Sequence, residues 1–319
     1  MIVDVVLTVS GLALLVVAAD FLVKGGTVLA SRYGVSPLVI GLTVVSFGTS
    51  MPEMFVSVTS GIQGNADLAV ANVLGSNIFN VLVVLGVAAI ICPLPVQNST
   101  VLTEIPFSVT AAILLGFLAN AALFTSKPDL SISRIDGAIL LFFFLLFMLY
   151  VYTTSGGDSG DASPVATKSP VVRAIAYILL GVGGLFLGGQ WVVDGAVGLA
   201  RRWGVDDALI GLTIVAIGTS LPELTASAVA AYRKEVDIAV GNVVGSNIFN
   251  ILWILGLTAG ITELPFEAIS NVDIIICVAS SMMVLLAVAT SRAATISRRF
   301  GGLFVGLYSA YLWYVIQRG

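Results

Sequence analysis

Two glutamates, Glu53 and Glu223, lie inside long apolar stretches with no lysine or arginine near them in sequence. An acid at membrane depth costs several kcal/mol unless it is paired or ligated. A cost incurred twice, at matching places, implies use. Each glutamate directly follows a proline, in Gly48-Thr49-Ser50-Met51-Pro52-Glu53 and in Gly218-Thr219-Ser220-Leu221-Pro222-Glu223. Proline lacks a backbone donor and clashes with the preceding turn, so both helices are expected to break there. A broken helix frees carbonyls, and in a protein-lined cavity these coordinate a cation beside Thr and Ser hydroxyls. The bland alternative is a simple proline kink; against it stands a carboxylate beside each proline.

The next span of each copy supplies Gly75-Ser76-Asn77 with Asn80, and Gly245-Ser246-Asn247 with Asn250. Ser76 and Asn80, like Ser246 and Asn250, are four apart and share a helix face. We read Asn80 and Asn250 as ligands; Asn77 and Asn247 fit either a ligand role or the packing role that small and polar residues play between membrane helices. Two carboxylates, two amides, hydroxyls and freed carbonyls are all hard oxygen donors. Calcium takes six to eight oxygens at about 2.3–2.6 Å, and sodium tolerates the same donors. Two negative charges match one divalent or two monovalent ions. The chain has no histidine, which removes the commonest transition-metal ligand and catalytic base.

These residues need a membrane around them. Hydrophobic residues make up 58% of the 319, charged residues only 10%, and the mean hydropathy is +1.07, which a soluble core could not hide. Apolar spans fall near 2–25, 37–61, 67–91, 102–124 and 133–153, then 171–199, 208–231, 237–260, 270–290 and 298–317. The chain also repeats itself: Gly41–Asn80 and Gly211–Asn250 align without a gap at a constant offset of 170, with 21 identities in 40 positions. The predicted fold is therefore all-α and membrane-embedded, with ten transmembrane helices as two five-helix repeats and helices 2 and 7 broken. Five spans per copy force the second copy to enter from the opposite side, so the repeats are inverted.

The expected organisation is a first repeat over 1–152, a Gly/Ser/Asp/Pro-rich cytoplasmic linker over 153–170 and a second repeat over 171–319. With the N-terminus outside, nine of the 14 Lys and Arg fall in cytoplasmic loops, which the positive-inside rule favours; both termini are then outside. The first apolar stretch lacks a basic n-region and a cleavage site, so it is read as a retained helix. Cys92 and Cys277 show no metal or disulfide spacing and are read as packed hydrophobes. Acids at span ends and in loops, among them Asp67, Asp129, Asp158, Asp161, Asp206, Asp207, Glu235 and Asp237, are read as solvated or interfacial.

The paired GTSMPE and GTSLPE segments, each followed by GSNIFN, resemble the two alpha-repeats of the cation/calcium exchanger superfamily, and the short linker is similar to that of its prokaryotic calcium/sodium antiporters. The resemblance implies alternating access and a diamond of ion sites among helices 2, 3, 7 and 8. It implies that Glu53 and Glu223 bind calcium centrally with the backbone carbonyls of Thr49 and Thr219, and that Ser46, Ser50, Ser76, Ala216, Ser220 and Ser246 serve flanking sodium sites. Some members, including the potassium-dependent branch, carry aspartate at the position of Asn250; amides at both Asn80 and Asn250 set the central charge at two and argue against potassium co-transport. The linker carries no EF-hand pattern, so cytoplasmic calcium regulation is not expected. Neither is a cofactor, an enzymatic activity or a nucleic-acid partner; the expected partners are calcium, sodium and lipid, with the protein a monomer.

Three other readings compete with exchange of calcium for sodium. A proton/calcium exchanger uses similar repeats, because a carboxylate in low dielectric can trade a metal for protons. A channel would not need two broken-helix motifs, and an intramembrane enzyme lacks a nucleophile or metalloprotease motif. Glu53→Gln or Glu223→Gln is each expected to abolish sodium-driven calcium flux, because one removed charge leaves a divalent ion uncompensated in a poorly solvated site; normal flux in either variant refutes the assignment.

Overall fold

The protein is described from a computed structural model that covers residues 1–124, 130–155, 171–205, 216–291 and 293–318. Its long elements are helices. In chain order they are α1 (Ile2–Tyr33), α2 (Pro37–Thr49), α3 (Met51–Ile62), α4 (Asp67–Ile91), α5 (Thr100–Ala119), α6 (Arg134–Thr154), α7 (Val171–Arg202), α8 (Ala216–Thr219), α9 (Leu221–Tyr232), α10 (Val236–Ile261), α11 (Ser270–Ala289) and α12 (Arg298–Arg318). Among the described residues, seven helices are long and apolar enough to cross a membrane, or eight when the bent pair α2–α3 is taken as one span. The protein is thus an all-helical, multi-pass membrane protein. Helix α12 has spanning length but a more polar sequence, and the start of the span expected over 208–231 lies outside the described residues.

The expected break in the first copy is present. α2 and α3 are bent by 49° at Ser50, with Pro52 at the start of α3. In the second copy α8 ends and α9 begins around Ser220, with Pro222 in the same place. Unforeseen from sequence are π-helical turns inside α2 (Gly41–Val45), α4 (Asn80–Leu85), α5 (Thr100–Glu104) and α10 (Phe249–Leu255). Such turns are rare and concentrate at functional positions; here one begins at Asn80 and another one residue before Asn250.

The longest helices, α1 and α7, are matching elements of the two copies and pack against each other along most of their length. Thr8 lies beside Gly195, Gly11 beside Gly188, Ala18 beside Gly184, Leu22 beside Gly181 and Gly25 beside Ala174, so the helices run antiparallel. Lipid offers no hydrophobic reward for helix association, and small residues permit the close backbone approach that does. A Cβ at Gly188 would stand 3.0 Å from Gly11 O, and one at Gly181 2.7 Å from the Leu22 backbone. Each helix has 32 residues, about 48 Å at 1.5 Å per residue, so both tilt in, or project from, a hydrocarbon layer about 30 Å thick.

Contacts between copies recur nearer the centre. A Cβ at Gly41 would meet Ile238 O at 2.8 Å, at Gly241 Leu38 O at 2.7 Å, and at Gly245 Leu42 O at 2.6 Å, which seats α2 against α10. Two short antiparallel ladders, also absent from the sequence reading, clasp the copies: β1 (Leu94–Pro95) pairs with β4 (Thr295–Ile296), and β2 (Ser131–Ile132) with β3 (Leu264–Pro265). Their inward residues Leu94, Ile132, Leu264 and Ile296 are fully buried.

The α1–α7 seam makes a direct prediction. Gly188→Leu should overpack it and cost about 1–3 kcal/mol, read as a lower midpoint of thermal unfolding in detergent. Gly183→Leu, at a position with no neighbouring atom within 4 Å, should leave that midpoint nearly unchanged.

Candidate functional site

Both glutamates are completely buried, and so are Ser50 and Ser220. The two half-sites cross. Ser220 Oγ donates to Glu53 Oε1 at 2.8 Å, and Ser50 Oγ donates to Glu223 Oε1 at 2.9 Å. Each serine occupies the N-cap position of the helix that carries its own glutamate, but its side chain makes no capping bond there and bonds the carboxylate of the other copy. Glu53 and Glu223 lie in the first turns of α3 and α9, where the partial positive charge of a helix N-terminus favours an anion. Residues that belong to opposite halves of the sequence therefore share one centre.

An asparagine lattice continues the exchange between copies. Asn77 Nδ2 donates to Asn247 O at 3.1 Å, and Asn247 Nδ2 to Asn77 O at 3.3 Å. Asn80 Nδ2 donates to Asn247 Oδ1 at 3.1 Å, and Asn250 Nδ2 to Asn77 Oδ1 at 3.0 Å. The orientation of every amide follows from this. A backbone carbonyl only accepts, so Asn77 O and Asn247 O demand the Nδ2 of the opposite asparagine; its Oδ1 then demands Nδ2 from Asn80 or Asn250. What remains on Asn80 and Asn250 is oxygen.

Those oxygens have no donor. Asn80 Oδ1, Asn250 Oδ1, Glu53 Oε2, Glu223 Oε2 and Ser246 Oγ are buried with no hydrogen-bond partner. A buried acceptor left unmade costs about 1–3 kcal/mol, more when charged, and buried side-chain polar atoms generally find a partner. Four of the five form two matched pairs at the 170-residue offset. A cation is the partner that satisfies several acceptor oxygens at once.

Of the remaining predicted residues, Ser76 and Thr49 join the same hydrogen-bonded network. Ser76 Oγ is 3.1 Å from Ser220 Oγ, hydroxyl to hydroxyl. Thr49 is fully buried and its hydroxyl donates to Asn242 Oδ1 at 3.1 Å; Thr219 ends α8 and is half-buried. Ser46 is buried, donates to Leu42 O at 2.8 Å, and stands beside Gly245. Ser246 is fully buried. Ala216 opens α8, and its side chain lies outside the described residues. Pro52 and Pro222 leave Gly48 O and Gly218 O without the N–H that a continuous helix would supply.

Asn72 and Asn242 were missed by the sequence reading. Asn72 Nδ2 donates to Ser57 Oγ at 3.0 Å and to Glu53 O at 3.4 Å, and Asn242 Nδ2 to Ser227 Oγ at 2.9 Å and to Glu223 O at 3.4 Å. They tie the backbone of each glutamate to the following helix. Identity between the copies at this position was a legible signal, although it could not separate a strut from a ligand. Also unforeseen are the buried acids Glu104 and Asp273, which accept from Tyr150 Oη at 2.6 Å and Tyr311 Oη at 3.0 Å.

A sealed oxygen centre inside an all-helical membrane protein is that of an ion transporter. The sequence matches the family described as sodium/calcium exchanger protein over residues 3–153 and 173–317. It is 39% identical over 266 residues to the inner membrane protein YrbG of Escherichia coli, covering 80% of this chain and 79% of that one. It is 29% identical over 335 residues to the sodium/calcium exchanger MaX1 of Methanosarcina acetivorans, covering 95% of each. The fold matches the solved structure of the sodium-calcium exchanger NCX_Mj with a TM-score of 0.82 and 31% identity, over 98% of this chain and 99% of that one. The chain belongs to the sodium/calcium exchanger protein family, and it is an antiporter.

The asparagine lattice can be tested apart from the charges. Asn77→Ala and Asn247→Ala should each free the amide of Asn250 or Asn80 to rotate and weaken calcium binding about 10- to 100-fold, the usual range for residues that orient ligands, as measured by titration calorimetry on the detergent-solubilised protein.

Proposed function

We propose that the protein exchanges calcium for sodium by alternating access, with Glu53 and Glu223 supplying the charge that either cargo must neutralise. The observation that carries this reading is the set of donorless buried oxygens on Glu53, Glu223, Asn80 and Asn250. Calcium takes the central position between the two carboxylates, helped by the carbonyls of Thr49 and Thr219. Ser46, Ser50, Ser76, Ala216, Ser220 and Ser246 border flanking positions for sodium. Neutral amides at Asn80 and Asn250 contribute oxygen without adding a third negative charge.

Coupling follows from electrostatics. An unliganded pair of carboxylates meets a desolvation barrier when the halves change their relation to the two membrane faces; a filled pair does not. One calcium or its equivalent in sodium removes the barrier, so net leak is suppressed and exchange is favoured. The complete burial of both glutamates supports a conformation in which the site is closed to both faces.

We assign ten spans to this architecture as two inverted five-helix repeats, over 1–152 and 171–319, joined by a linker at 153–170. The antiparallel packing of α1 against its mate α7 supports the inversion, and the bends at Ser50 and Ser220 mark the broken second and seventh spans. Both termini are placed outside and the linker in the cytoplasm, on the bias of Lys and Arg.

The decisive measurement is radioactive calcium uptake into sodium-loaded vesicles with proton and potassium gradients collapsed. Uptake that requires the outward sodium gradient is expected. Uptake that ignores sodium and follows an imposed pH gradient would overturn the proposal.

A further inference from the structure

A cavity that neither Glu53 nor Glu223 lines carries charge that the repeat architecture does not require. It has a volume of about 310 Å³ and opens between the latter part of α1, the first turns of α7 and the turn joining α9 to α10. Lys24, Arg173 and Arg233 reach it, opposed by Glu235, with Val28 and Tyr177 among its apolar walls. Tyr177 stacks on Phe21 with ring centroids 5.4 Å apart. Asp20 pairs with Lys24 at 2.7 Å and accepts from Arg233 Nε at 2.6 Å. Arg173 is exposed and, among the described residues, has no ion-pair partner. The first turn of α7 holds no acid, so the partial positive charge of this helix end stands beside Arg173 with no carboxylate of that turn to offset it.

Comparison with the opposite face separates fold from function. At the 170-residue offset the mates of Lys24, Arg173, Arg233 and Glu235 are Asp194, Val3, Gln63 and Asn65. The two copies supply like helices to both faces, yet only one face has the three cations. The α9–α10 turn also holds Lys234 at φ 62, the conformation its mate Gly64 takes at φ 84. A left-handed backbone is unfavourable for a side chain with a Cβ, so this turn carries adjacent basic residues despite an energetic cost.

We infer that this cavity binds the phosphate group of an anionic phospholipid, held by Arg173, Lys24 and Arg233. A helix start and a helix-to-helix turn place the mouth at headgroup level. The apolar wall suits the glycerol and upper acyl chain, which inorganic phosphate lacks. Basic pockets between membrane helices are a recurring headgroup site, and each basic residue near an anionic surface changes partitioning about fivefold. The bound lipid bridges the α1–α7 pair to the α9–α10 turn.

Native mass spectrometry of the full chain in detergent, titrated with phosphatidylglycerol and phosphatidylcholine of identical acyl chains, tests this. Phosphatidylglycerol should bind at least fivefold more tightly; Arg173→Gln should remove about fivefold of that preference, while Arg173→Lys retains it. Arg299→Gln, an exposed cation outside the cavity, should leave the preference intact, and a thermal midpoint equal to wild type certifies the fold of each variant. An absent preference, or one that survives Arg173→Gln, overturns the inference. Displacement of phosphatidylglycerol by equimolar inorganic phosphate overturns the lipid as the source of the phosphate.

Discussion

Two carboxylates buried together in a membrane protein are held by serines that each belong to the other half of the chain. Ser220 serves Glu53 and Ser50 serves Glu223, so neither half-site is complete alone. Only one oxygen of each carboxylate is satisfied this way, and the second has no hydrogen-bond partner. Like charges at close quarters in low dielectric repel strongly. The crossed serines and the two helix N-termini offset part of that repulsion; in the proposed exchange, cargo supplies the rest.

The surrounding architecture serves that constraint. The proline breaks turn helix N-termini toward the carboxylates, the asparagine lattice fixes which atom of Asn80 and Asn250 faces inward, and Asn72 and Asn242 tie each broken helix to its neighbour. Glycines at 41, 241 and 245 bring α2 and α10 to backbone contact, and the two short ladders clasp the copies at their edges. Such double use of one unit economises on distinct interactions: nearly every central hydrogen bond has a mate of similar length at the 170-residue offset. Departures from the twofold pattern are therefore informative, and the one-sided basic cavity is the clearest of them.

The family relation and the site geometry constrain different things. The match along most of the chain establishes an antiporter of the sodium/calcium exchanger family, whereas the chemistry of this particular centre depends on its own residues. Amides at both Asn80 and Asn250 make its oxygen set less charged than one with an aspartate at either place. Charge at the centre, rather than the number of oxygens, governs what the site must bind before it can be desolvated.

By itself the amino-acid sequence determined the bilayer as solvent, the duplication, the proline breaks and the pairing of Glu53 with Glu223, because hydropathy, repetition and proline chemistry are local and additive along a chain. It also singled out Asn80 and Asn250 as oxygen donors. Only the tertiary structure decided that Ser50 answers to Glu223 and Ser220 to Glu53, that Asn77 and Asn247 orient the amides of Asn250 and Asn80, that π-turns carry Asn80 and Asn250, and that Lys24, Arg173 and Arg233 share one cavity. The serine–glutamate and asparagine relations join residues at least 167 positions apart and are set by how two copies pack, so no periodicity within one copy encodes them.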